Sequence, residues 1–176
     1  TDKTVDVGPA GTAMRFLSAY LSAKNGNFLL TGTERMKQRP IGILADALKG
    51  IGANISYAEK EGFPPLNISG PLNQVSSQIK IKGDISSQYI SALLMLAPTL
   101  PQGLTLEIIG ELTSKPYVEM TLAMLAECGI SHEWNENLIT ISHQAFQPSS
   151  RRDAPMSGRG PTYAGQAGFG PPCRPP

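Results

Sequence analysis

Apolar positions between residues 1 and 143 fall into two matching series. The run GTAMRFLSAYL at 11–21 is answered by SSQYISALLML at 86–96. NFLLTG at 27–32 is answered by LTLEIIG at 104–110, and apolar runs that close on Gly predict strands. Arg39-Pro40 and Lys115-Pro116, separated by nearly the same offset, each open a helical pattern. Ile41, Leu44 and Leu48 in one copy, and Val118, Leu122 and Leu125 in the other, recur at spacings of three and four and so share one face. Proline at a helix start is preorganised and forfeits no needed donor. Gly52 and Gly129 suit the left-handed position that closes such helices. Short strands are predicted at 54–57 with 66–69, and at 131–134 with 138–142. The repeating unit is therefore helix, strand, helix, strand, strand, present twice.

The helices predicted at 12–23 and 87–97 are apolar almost all round, which marks core helices that need cover on every side. A third unit, opening like QIKIKGDISSQYISALL after Ser69, is due after Ser142. The pattern does not continue, so part of that cover is expected to be missing.

Composition turns this stop into a break. The 176 residues are 40% hydrophobic and 16% charged, as a globular domain or one lobe of a larger protein would be. Fifteen Lys and Arg against fourteen Asp and Glu give a formal charge of +1, so no overall field points to nucleic acid or an anionic membrane. The balance is uneven: eight Lys, three Arg and thirteen acids lie in 1–143, while 144–176 hold four Arg, no Lys and one acid. The segment 144–176 contains seven Pro and five Gly but no Val, Ile or Leu, and cannot bury a core. It is accordingly expected to be a disordered Pro/Gly/Arg-rich tail of different origin. The chain opens on Thr1 without a charged-then-apolar leader or a membrane-length apolar run, and the expectation is a soluble piece beginning within a longer protein. Cys128 and Cys173 are isolated, with no CxxC or His/Cys ligand spacing, which fits a reduced, cytoplasmic setting without a zinc site.

Helix N-termini carry partial positive charge and usually favour acids in their first turn. Here the starts are poor in acid. Gly11-Thr12-Ala13-Met14-Arg15 opens the first helix with a Gly that lets a ligand approach the backbone. Arg35, Lys37 and Arg39 crowd the next start, Ser86-Ser87-Gln88 opens the third and Ser114-Lys115-Pro116-Tyr117 the fourth. Thr12, Ser86 and Ser114 are also ordinary N-cap residues, and Arg35 and Lys37 are equally readable as solvated loop charges. Four donor-rich starts at matching places would converge on a polyanionic small molecule if the repeats pack about a common axis. His132 and His143 have no catalytic partner at a recognisable spacing and read as structural. Met95, Met120 and Met124 read as core filling, and Glu107, Glu111 and Glu119 form no paired-carboxylate motif.

Taken together, GTAMR (11–15), LTGTERMKQRPI (30–41), SSQYISALLM (86–95) and SKPYVEMTL (114–122) resemble the 5-enolpyruvylshikimate-3-phosphate synthase family, in order and over roughly residues 5–142. UDP-N-acetylglucosamine enolpyruvyl transferase shares the fold and is the alternative, although it does not usually carry the SSQ and SKPY pair. The resemblance implies an α/β (α+β) lobe of repeated βαβαββ units, an inside-out α/β barrel, incomplete here, with 1–143 supplying about two units. It implies transfer of the enolpyruvyl group from phosphoenolpyruvate to shikimate 3-phosphate with release of phosphate, a step of aromatic amino acid biosynthesis. No metal or organic cofactor is implied, no nucleic acid or membrane partner, and the full-length family member is expected to be a cytoplasmic monomer.

By the same resemblance, Ser86, Ser87, Gln88, Ser114 and Tyr117 match shikimate-3-phosphate contacts. Gly11, Thr12, Arg39 and Gln88 match contacts to phosphoenolpyruvate. An Arg fork suits bidentate phosphate or carboxylate binding better than a Lys. Phe16 stands where many relatives have Pro, and Pro9 where an Asn is common; both are expected beside the phosphoenolpyruvate loop. No residue matches the family's general acid or base, which the resemblance places on a second lobe, so the chain alone is expected to be inactive. The rivals from other classes are a non-catalytic module that retains shikimate-3-phosphate recognition and an interaction protein built on the repeat.

Overall fold

A computed structural model describes residues 3–147. Two four-stranded sheets are built on one plan. The first is ordered β1-β2-β4-β3, from β1 (Lys3–Asp6), β2 (Gly26–Thr31), β3 (Asn54–Tyr57) and β4 (Leu66–Gly70). The second is ordered β5-β6-β8-β7, from β5 (Gln78–Lys82), β6 (Leu104–Ile109), β7 (Glu133–Asn135) and β8 (Leu138–Ile141). In each, the first two strands are parallel and the others antiparallel, with Val5 opposite Leu30 and Ile81 opposite Ile108 in equivalent registers. Parallel neighbours need a crossover. It is α1 (Gly11–Ser22) in the first unit and α4 (Ser87–Leu96), extended by a 3-10 turn at Ala97–Thr99, in the second. A second long helix, α3 (Gly42–Gly50) or α5 (Lys115–Glu127), leads into each closing hairpin. The βαβαββ repeat of an α/β lobe is thus present twice among the described residues.

The two long outer helices end alike. Gly52 and Gly129 take φ of 108° and 79°. Gly52 and Ala53 donate to the Lys49 and Leu48 carbonyls, as Gly129 and Ile130 do to those of Ala126 and Leu125, at 2.9–3.0 Å. That is the Schellman pair of bonds, which needs a residue free to adopt positive φ. Pro116 stands in the first turn of α5, as predicted, whereas Pro40 precedes α3 by two residues. The stretch before Pro40 holds an unpredicted single-turn helix, α2 (Glu34–Lys37), capped by the Thr33 hydroxyl. Arg35 and Lys37 therefore lie within a helix that carries Glu34 in its first turn, rather than crowding the start of α3.

α1 and α4 pack side by side, α4 also against α5, and α3 sits beside β5 where the two units meet. Ile90, Leu93 and Leu94 of α4 are fully buried, as are Leu30, Leu66 and Leu106 on the sheets. The buried side of α1 includes Ser18 and Ser22, whose hydroxyls return to the Met14 and Ser18 carbonyls at 2.7 Å and so need no other partner. Between α1 and α4 runs an open groove of about 420 Å³ lined by Phe16, Leu17, Tyr20, Ala92, Met95 and Leu96. Phe16, the residue that follows GTAMR, turns its side chain into this groove. Met120 and Met124 are 55% and 61% exposed, contrary to the core role expected of them. Val118, Thr121, Leu122 and Leu125 turn the other side of α5 inward, which leaves both methionines on the outer face.

Gln144–Gln147 stay against the second unit: Gln144 N–H donates to the Pro98 carbonyl at 3.0 Å, and Gln147 N–H to that of Cys128 at 2.9 Å. The remainder of the expected tail, 148–176, lies outside the described residues.

Candidate active site

In each sheet the parallel strands deliver their C-terminal ends to loops that start the helices, so helix N-termini gather at one edge. The crevice beyond such strand ends is where open α/β sheets bind ligands. The Gly8 carbonyl before α1 accepts from Thr33 N–H before α2 at 3.2 Å. In the second unit the Gly83 carbonyl before α4 accepts from Thr113 N–H before α5, also at 3.2 Å. The units meet at this edge through Gln88, whose Nε2 donates to the Thr12 hydroxyl at 3.0 Å.

The three long helix starts that carry candidate residues are alike, and α3 shares their property. α1 follows Ala10, α4 follows Ser86 and α5 follows Ser114; none has a side-chain cap bond, and none has an acid in its first turn. Thr33 at α2 does cap, accepting from Met36 N–H at 3.4 Å. The capping reading of Thr12, Ser86 and Ser114 therefore fails: Ser86 and Ser114 hold the cap position without using the hydroxyl for it, and Thr12 lies inside α1. Ser86 and Ser87 adjoin Gln88 at the α4 start. Ser114 and Tyr117 open α5, with Tyr117 62% exposed, and no hydrogen bond among the described residues joins them to the other candidates.

Over the start of α1 stand two guanidiniums. A Cβ placed on Gly11 would lie 2.7 Å from the Arg15 Nη1 and in contact with the Arg39 Nη1, so both cations converge on a single backbone position. A side chain at position 11 would displace both guanidiniums, so Gly11 is what lets them reach this place on the backbone. Arg15, one helical turn after Gly11, folds back to donate from Nη1 to the Gly11 carbonyl at 2.7 Å. Its Nε is buried without a partner. No carboxylate lies within ion-pair distance of Arg15, Arg35 or Arg39 among the described residues. Arg35 and Arg39, with Pro9, Thr33 and Met36, line a cavity of about 390 Å³ at this place. Pro9 thus lines this cavity.

Lys37 is not part of this positive surface. Its ammonium pairs with Glu34 at 3.1 Å and Glu59 at 3.0 Å, and the hydrogen bonds to Glu59 and then Glu34 raise its pKa above the ordinary 10.5. Glu107 and Glu119 are likewise spent on Lys80 and Lys115. His143 Nδ1 donates to the Leu100 carbonyl at 3.1 Å, a structural bond. Among the described residues no cluster of His, Cys, Asp or Glu could hold a metal ion, and no helix is long and apolar enough to cross a membrane.

Sequence reasoning leaves Arg15, the last residue of GTAMR, without a role. Its spacing of four from Gly11 is the signal that places both on one helix face. Chemically, guanidiniums without a carboxylate partner beside the free N–H groups of a helix start suit a compact, multiply charged anion.

A family model for EPSP synthase (3-phosphoshikimate 1-carboxyvinyltransferase) matches residues 1–150. The 3-phosphoshikimate 1-carboxyvinyltransferase of Bacteroides fragilis (strain YCH46) is 51% identical over 146 residues, which are 82% of this chain and 35% of that protein. The protein of the same name from Shewanella sp. (strain MR-7) is 47% identical over 152 residues, 84% of this chain and 35% of that one. The chain thus spans about a third of the length of these curated relatives. A solved EPSP synthase from Acinetobacter baumannii superposes with a TM-score of 0.68 over 82% of this chain and 31% of that one, at 24% identity, a likeness of fold. Both of these relatives bear the name of the shikimate enzyme. With its repeated units and linked motifs in place, the chain belongs to the EPSP synthase (3-phosphoshikimate 1-carboxyvinyltransferase) family.

Proposed function

We propose that this lobe supplies half of the substrate cleft of a 3-phosphoshikimate 1-carboxyvinyltransferase. Phosphoenolpyruvate is held by the backbone at Gly11, by Thr12, by the Arg39 fork and by Gln88. Shikimate 3-phosphate is held by the Ser86, Ser87 and Ser114 hydroxyls with Gln88 and Tyr117. The observation that carries this reading is the pair of unpaired guanidiniums over Gly11, with Gln88 tying that place to the serine-rich start of α4.

In the reaction a hydroxyl of shikimate 3-phosphate loses its proton as its oxygen attacks C2 of phosphoenolpyruvate and C3 is protonated; phosphate then leaves the tetrahedral intermediate as C3 gives up a proton, which restores the enol double bond. This lobe's part is to fix two phosphates and a carboxylate so that the reacting carbons meet, and to offset their charge with preorganised donors. The proton-transfer groups are not assigned to any residue of this chain. The whole enzyme works as a cytoplasmic monomer on these small molecules, and the present chain alone turns nothing over. Steady phosphate release by the purified chain, free of host enzyme, contradicts that last statement.

Arg39→Ala in a complete enzyme tests the assignment. Loss of charge-assisted hydrogen bonds worth about 1.5–3 kcal/mol should raise the KM for phosphoenolpyruvate roughly ten- to hundredfold. An unchanged KM removes Arg39 from the site.

A further inference from the structure

Tyr89 is the residue after Gln88 on α4 and is 7% exposed. Its hydroxyl donates a 2.8 Å hydrogen bond to the carbonyl of Pro40, the residue that follows Arg39. Its ring faces Arg15, with the guanidinium carbon 5.4 Å from the ring centroid. One side chain from the second unit therefore touches the supports of both cations that stand over Gly11 in the first. Those cations repel each other and have no carboxylate between them, so something neutral must hold them together before an anion arrives. An aromatic face attracts a guanidinium without neutralising it, and a hydrogen bond to a carbonyl fixes a turn without adding charge. Filling core space would require the ring alone; the hydroxyl reaches past the core to the Arg39-Pro40 turn.

We propose that Tyr89 is a positioning residue for the phosphoenolpyruvate pocket. Its hydroxyl sets the Arg39-Pro40 turn and its ring holds Arg15 against Gly11, so both guanidiniums stand preformed at a spacing one anion can bridge. The inference rests on the substrate reading above. It concerns preorganisation, whose loss weakens binding without altering the reacting groups.

The test is steady-state kinetics of the complete transferase carrying this lobe, with Tyr89→Phe, Tyr89→Leu and the Arg39→Ala control. Tyr89→Phe removes the tether and keeps the ring; it should raise the KM for phosphoenolpyruvate about five- to tenfold, the loss of one buried hydrogen bond. The kcat and the KM for shikimate 3-phosphate should stay within about twofold, with the melting temperature lowered by no more than about 2–4 °C, the stability share of that one bond. Tyr89→Leu, which also removes the ring, should raise the same KM further. A KM for phosphoenolpyruvate unchanged in Tyr89→Phe, or both KM values rising together as the melting temperature falls by more than this, overturns the proposal. If Arg39→Ala still loses affinity in that case, the substrate reading stands and only the role of Tyr89 fails. A wild-type enzyme that does not use phosphoenolpyruvate overturns both.

Discussion

Arg15 holds a charge that is 8% exposed, has no carboxylate partner and leaves Nε unsatisfied. Burying such a group costs stability, and replacing it by an apolar side chain of similar length is commonly neutral or stabilising. Arg15→Met is therefore expected to leave the stability of the lobe unchanged or to raise it by about 1–3 kcal/mol in urea unfolding. The same change should weaken anion binding, the trade expected where function retains a destabilised group. A fall in stability of several kcal/mol would show that Arg15 is structural. At this scale the sequence was informative where chemistry is local: Ser86 and Ser114 stand at helix starts, as their neighbours suggested. The Arg15–Tyr89–Pro40 connection was hidden because it joins residues far apart in the chain, and no spacing announces a contact made across two units.

Helix ends make the next level quantitative. Gly52 and Gly129 perform the same capping with the same hydrogen bonds, yet their surroundings differ. A Cβ on Gly52 would run into the backbone carbonyl of Asn73, whereas one on Gly129 would meet only the Gln147 side chain at 3.1 Å, which can move. Gly129→Ala should cost about 1 kcal/mol, the strain of a side chain at positive φ. Gly52→Ala should cost clearly more by the same urea unfolding measurement, and equal costs would contradict the geometry. The strands at Asn54–Tyr57 and Leu138–Ile141 were legible because alternating apolar residues give a period of two. β1 was not, because KTVD offers one apolar residue in an edge strand. α2 was not, because four residues are too few to show a helical period.

The two units of the whole molecule are related by topology, and their meeting places the candidate residues. α1 and α4 lie together, so that Gln88 reaches Thr12, and the loop before α5 is bonded to the loop before α4. The repeat and hence the fold were legible at long offset, since burial dictates apolar pattern. The site was legible only as a set of unusual helix starts. The approach of Gln88 to Thr12 and of Tyr89 to Pro40 depends on packing between units, which pattern does not encode. Function of the lobe depends on this edge being its substrate face. Titrating the ¹⁵N-labelled chain with shikimate 3-phosphate, watched by two-dimensional NMR, probes that face directly. Saturable shifts are expected, centred on the amides around Ser86–Tyr89 and Ser114–Tyr117 and reaching Thr12 through its hydrogen bond to Gln88. Saturable shifts centred elsewhere, or none at these positions in a folded chain, would contradict the assignment of this edge.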